Sequence, residues 1–276
     1  MPMRKASLRR SARSLGAMAA CGVKSMWAYR FNALTGIVFD LIGIAVPLLV
    51  WNALFHANGG MPVQGKTLSD LMTYTIIARA ATLFVSTGLA DDISDRVHSG
   101  SIILDFMKPQ SPLMGFVGRS LGNSLYSVAF RGLPLLALAL FVPGMQPPFS
   151  LYHFVFFLFA LALGFVLDSL LQMIFGMVAF WQIDVGIIGW FTSVFYMLLS
   201  GSVVPLWFLP DWLKAVAGWL PFQAAYYLPV TLYMGHVPLA GVGAVFLTQL
   251  GWIAALLLLQ RLIWRFCVRR VVIAGG

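Results

Sequence analysis

An all-α membrane protein with six transmembrane helices is the fold class this sequence predicts, and three observations predict it. Six apolar stretches are each long enough to cross a bilayer. Hydrophobic residues fill 60% of the 276 positions and charged residues 10%, a balance no soluble domain of this size needs. Basic residues gather at one set of span ends: seven precede Phe31 with no acidic residue among them, and four more follow Gln260. The segments on the opposite side carry only Lys66 and Lys214. Cytoplasmic flanks retain arginine and lysine, so both termini are expected in the cytoplasm and the chain in the cell membrane.

A hydrocarbon core of about 30 Å needs roughly 20 apolar residues in a helix. The stretches that qualify run Ala33–Phe55, Leu68–Ala90, Met114–Val142, Leu151–Trp181, Ile183–Val204 and Leu239–Gln260. The second is rich in threonine and serine and carries Arg79 at its centre, so it is expected to face protein or water. An even number of spans returns both ends to one side. Of the 18 basic residues, 13 then lie in cytoplasmic segments, 2 outside, and Arg79, Arg119 and Arg131 in spans.

Ahead of the first span, Ser11–Phe31 reads as an interfacial amphipathic helix. Leu15, Met18, Met26 and Tyr29 share one stripe while Arg13 and Lys24 point away. The alternative is a basic tail without fixed structure. Residues 1–32 thus form a cytoplasmic tail and surface helix, 33–267 a single transmembrane domain, and 261–276 a second cytoplasmic tail. The basic N-terminal stretch lacks the compact apolar region and cleavage site of a signal peptide.

Two connecting segments are more than connectors. The cytoplasmic loop 91–113 holds four of the nine acidic residues, Asp91, Asp92, Asp95 and Asp105. Asp91 and Asp92 suit a helix N-terminus, Asp92 and Arg96 form an i,i+4 pair, and Ser99-Gly100 suits a stop. An apolar segment ending at Lys108-Pro109 follows. The outer segment 205–236 is apolar and aromatic but broken by Pro205, Pro210 and Pro221. It is expected to dip into the outer leaflet as short re-entrant helices, with Trp207, Trp212 and Trp219 at headgroup level.

Several chemistries are set aside. A net charge of +9 would suggest nucleic acid in a soluble protein, but here it sits at span ends and tails and suits anionic lipid instead. Cys21 and Cys267 both fall on the cytoplasmic side, against a disulfide. His56, His98, His153 and His236 have no metal-ligand spacing. No histidine lies deep enough for an intramembrane serine protease, and Asp40 and Asp168 lack the flanking signature of an aspartyl one. Gly60–Thr67 matches the phosphate-loop pattern G-x4-G-K-[ST], yet a membrane helix precedes it and it lies away from cytoplasmic ATP. The match is read as chance. No catalysis is expected within the chain.

The charges at membrane depth, Asp40, Arg79, Arg131 and Asp168, either pair with one another or line a pathway. Gly118 and Gly122 form a small-x3-small stripe beside Arg119 that permits close helix contact.

The run Asp92-Ile93-x2-Arg96-Val97-x2-Gly100-Ser101-Ile102 ending in Lys108-Pro109-x-Ser111-Pro112 resembles the membrane subunit of type-2 ABC exporters. So do Ser200-Gly201-x2-Val204-Pro205-x4-Leu209-Pro210 with Leu220-Pro221-Phe222, and the basic amphipathic helix ahead of six spans. The resemblance covers essentially the whole chain. It implies that the loop after the second span docks on a separate ATPase through Asp91, Asp92, Asp95, Arg96, Ser99 and Gly100. It implies two ATPase copies that bind ATP and magnesium, none being held by this chain, and a second permease chain, identical or paralogous. It also implies re-entrant helices over the outer exit. The aromatic spans suit export of a lipophilic or amphiphilic compound, a cation being one option, over a strongly anionic polymer. The competing reading is a proton-coupled carrier titrating Asp40 or Asp168. Against it, the spans show no evident internal repeat.

Overall fold

Residues 30–62, 64–107, 111–181, 194 and 196–274 are described by the computed structural model, and every regular element among them is helical. Helix α1 (Arg30–Ala57) carries Pro47 in its interior. The interfacial helix expected ahead of it lies outside the described residues.

Helix α2 (Leu68–Val85) starts at a capping box. The Thr67 hydroxyl accepts the Asp70 backbone N–H, and the Asp70 carboxylate accepts the Thr67 backbone N–H at 2.9 Å, satisfying two of the donors that a helix start leaves free. The phosphate-loop look-alike is therefore a helix cap preceded by a helix. Its Lys66 Nζ reaches His236 Nε2 at 2.9 Å.

The second span was expected to reach Ala90, but α2 ends at Val85. Ser86 is extended and Gly88 takes φ +60°, a left-handed conformation that glycine adopts without penalty. The chain re-enters helix at once as α3 (Leu89–His98), turns through Gly100 at φ +72°, and forms the short α4 (Ile102–Phe106).

The third expected span is one helical run with a defect: α5 (Pro112–Ser127), a π turn at Val128–Gly132, then α6 (Leu133–Ala139). Pro134 explains the defect. It cannot donate to the carbonyl four residues back and its ring crowds that carbonyl, so Leu133 N–H bonds instead to Val128 O, five residues back.

Helix α7 (Leu151–Met177) is capped by Ser150 and continues as a 3-10 turn to Phe180. It is the central helix. Its Phe157, Leu161, Leu167, Leu170 and Leu171 join Tyr74, Ile77 and Val85 of α2 in the largest buried cluster. Most of the fifth expected span falls on residues 182–193 and 195, outside those described.

The outer segment is broken as its prolines predict: a 3-10 turn at Leu206–Phe208, then α8 (Asp211–Gly218), α9 (Phe222–Ala225) and α10 (Tyr227–Tyr233). Gly164 lets α9 lie directly on α7, since a Cβ there would stand 2.5 Å from Ala225 O. Gln249 of the last helix, α11 (Val242–Ala274), ties the same corner by donating to Ala160 O and Ala224 O at 3.0 and 2.8 Å. Four helical stretches among the described residues are long and apolar enough to cross a membrane: Leu34–Ala57, Leu68–His98, Leu151–Phe180 and Leu239–Cys267.

Candidate functional site

The loop expected to be touched from the cytoplasm is a rigid helical hairpin. In α3, Asp91 and Asp92 occupy the first turn and Arg96 and His98 the last, so both ends complement the helix dipole. Leu89 and Ile93 bury the opposite face with Ile102, Phe116, Met173, Met177 and Cys267. The close approach depends on Gly176 of α7, whose Cβ, if present, would meet Ile93 Cβ at 2.9 Å and Ala90 Cα at 3.1 Å.

Ion pairs fasten α3 to α4 and to α5. Arg96 bonds Asp92 at 2.8 Å and the buried Asp105 at 3.0 Å. Arg119 approaches the same two carboxylates at 3.7 and 3.8 Å. Both guanidinium groups flank the Phe116 ring, 5.8 and 5.0 Å from its centroid. Two arginines and two aspartates thus meet around one aromatic ring.

This geometry divides the sequence-predicted residues. Asp91, Asp95, Ser99 and Gly100 are exposed, whereas Asp92 and Arg96 are half-buried and spend their charge inside the hairpin. Sequence reasoning missed Asp105 and Arg119, which complete the network. It also missed Ile103, Leu104 (62% exposed) and Met107 (76% exposed), which form an apolar tip beside Ser99 and Gly100. The signal was present in Ile102–Met107, where exposed and buried positions are interleaved.

Three of the four membrane-depth charges meet; the fourth does not. Asp40, fully buried, is gripped by Arg79 Nη2 at 2.6 Å on one oxygen and by Arg131 Nη2 at 2.7 Å on the other. Gly36 makes room for Arg131, and Gly43 lies against Arg79. Asp168 pairs with no arginine among the described residues. One of its oxygens accepts the Thr87 backbone N–H and hydroxyl at 2.9 and 2.8 Å, and the other accepts the Tyr226 hydroxyl at 2.9 Å.

Between these groups lies a cavity of about 450 Å³, lined by Arg79, Thr82, Asp91, Gln172, Tyr226 and Val203 among others. At the start of α2, Trp207 packs edge-on to Tyr74 with centroids 4.8 Å apart, and Lys66 lies 5.3 Å from its ring centroid. Pro205 and Pro221 are buried, while Pro210, Trp212 and Trp219 are exposed.

The sequence pattern of the ABC-2 family transporter proteins matches residues 20–275. The chain belongs to the ABC-2 transporter family. It is accordingly a multi-pass membrane protein and the permease component of an ABC transporter, a family setting that implies an ABC ATPase partner. A search among curated proteins finds no match to this ABC-2 chain.

Proposed function

We propose that this chain is the six-span permease of an exporter driven by ATP hydrolysed on a separate subunit, with both termini cytoplasmic. Two ATPase copies, each holding ATP and magnesium, press against two permease chains, identical or paralogous. The helices α8, α9 and α10 act as re-entrant elements over the outer exit. The exported compound is lipophilic or amphiphilic.

The observation that carries this reading is the α3–α4 hairpin. It offers an exposed acidic face at Asp91 and Asp95 and an apolar tip, while Asp92, Arg96 and Asp105 tie it internally, so a push on it is passed to α5 and α7. Leu104 and Met107 supply the apolar contact; Asp91, Asp95, Ser99 and Gly100 border it. A proton-coupled role for Asp40 or Asp168 is less favoured, because both carboxylates already hold hydrogen-bond donors.

The test is co-purification of the ATPase subunit with the full permease. Leu104→Asp with Met107→Asp removes the apolar tip without touching the Arg96–Asp105 network. It is expected to abolish retention of the ATPase while the permease stays folded. Retention unchanged in that variant would remove the hairpin from the contact.

A further inference from the structure

The charge count around Asp40 does not close. One carboxylate faces two guanidinium groups, which leaves a surplus positive charge at membrane depth among the described residues. Such a charge is costly unless a counter-charge or water reaches it. Arg79 engages Asp40 through Nε and Nη2 only, so its Nη1 has no acceptor among the described residues. The same side chain lines the 450 Å³ cavity.

A second donor lies in that wall. Gln172 lines the cavity and makes no hydrogen bond within the described protein. The remaining polar lining consists of Asp91, Thr82, Ser86, Ser202 and tyrosine hydroxyls, and the apolar lining includes Met197 and Val203. The acidic groups nearby are accounted for. Asp91 is exposed at the cytoplasmic mouth, where water and salt screen it. Asp168 is buried and turned to Thr87 and Tyr226. A cation that passed Asp91 at the mouth would therefore meet Arg79 with no further carboxylate of the described residues free to receive it.

We propose that this cavity is a binding site for the acidic head of an amphiphile, a phosphate or carboxylate. Arg79 Nη1 supplies the charge-assisted donor, the Gln172 amide the second donor, and Met197 and Val203 contact the start of the apolar tail. A fork of N–H groups matches such oxyanions in geometry as well as charge. The inference narrows the substrate class of the transport reading above and rests on it only for the direction of movement. It replaces the cation option raised by the sequence.

The test uses the full chain in phosphatidylcholine nanodiscs without the ATPase, so its outcome is independent of the docking experiment. Labelled dodecyl phosphate is expected to bind saturably, and dodecyltrimethylammonium not to compete. Arg79→Gln leaves a balanced Asp40–Arg131 pair, so it is expected to fold; it should weaken binding by about tenfold or more. Gln172→Leu, which leaves all three ionic side chains in place, should weaken it by about threefold to tenfold. Competition by added phosphatidylglycerol would assign the site to a lipid headgroup, and its absence to a free amphiphile. The proposal is overturned if dodecyl phosphate fails to bind, if the cation binds as well, or if folded Arg79→Gln binds unchanged.

Discussion

Asp168 holds Thr87 at both its backbone N–H and its hydroxyl, at 2.9 and 2.8 Å. Thr87 sits in the break between α2 and α3, so the carboxylate anchors the root of the α3–α4 hairpin. Its other oxygen receives Tyr226 from the outer segment at 2.9 Å, and Thr87 O accepts Ser120 Oγ of α5 at 3.1 Å. One side chain therefore joins the hairpin's root to the broken segment 205–236. A tilt of α3 cannot leave Tyr226 undisturbed.

Asp168→Asn should be mild, keeping transport within about threefold of the native chain. An amide oxygen can still accept from Thr87, and its N–H₂ can donate to Tyr226. Asp168→Leu strands buried donors, each costing about 1–3 kcal/mol. It should lower the unfolding midpoint and let ATP hydrolysis run with little transport. Vesicle uptake measured beside phosphate release checks both. A complete stop in the asparagine variant would favour a titrating carboxylate over a hydrogen-bonding one.

The hairpin was legible because its signals are local. Asp91 and Asp92 mark a start and Gly100 a stop within ten residues, which is the range over which capping and dipole effects act. The early end of α2 was not, because Ser86 and Thr87 are tolerated inside helices and only Gly88 argued otherwise. The triad at Asp40 was half legible. Charges at membrane depth seek partners, but periodicity does not say which of two aspartates Arg79 and Arg131 will choose across sequence separations of 39 and 91 residues. Arg119 was placed in a span beside its glycine neighbours, but its partners were not legible because they lie on other elements. Pro134 could have predicted the π turn, having a local cause.

Removing Arg96 should loosen the hairpin more than an exposed ion pair would. Arg96→Met takes from the buried Asp105 its 3.0 Å ion pair, while Arg119 stays at 3.8 Å. The arginine is itself partly exposed, so the cost is discounted to about 1–2 kcal/mol. Amide exchange should rise across 89–106 and not in α7. Adding Asp105→Asn should recover part of the loss, because the buried carboxylate that lost its 3.0 Å partner is then neutral. Additive losses in the double variant would mean the pair does not interact.

Gly176→Ala tests how closely α3 must lie on α7. The new methyl would meet Ile93 Cβ at 2.9 Å and Ala90 Cα at 3.1 Å, and a Cα cannot rotate away. Overpacking of this kind costs about 1–3 kcal/mol. Gly243→Ala meets nothing within 4 Å and serves as the control. Thermal unfolding should separate the two, and retention of the ATPase subunit should fall only in the first. Equal behaviour of both variants would show that the hairpin is not seated through Gly176.

Beyond the end of α10, His236 gives a pH dependence whose sign follows from its surroundings. Burial first, then the Lys66 ammonium, push its pKa below the usual histidine value, and Asp70 opposes only in part. The folded chain therefore binds this proton less readily than the unfolded one, whose histidine titrates near about 6.5. The stability from a neutral His236 is present above that pH and declines as pH falls through it toward the lower folded value. Protonation also removes the lone pair that accepts Lys66 Nζ at 2.9 Å, releasing the link between the 58–67 loop and the end of α10. Thermal midpoints at pH 7.5 and 5 should diverge more for the native chain than for His236→Gln, which keeps an acceptor but no titration. A steeper loss in the glutamine variant would reverse the assignment.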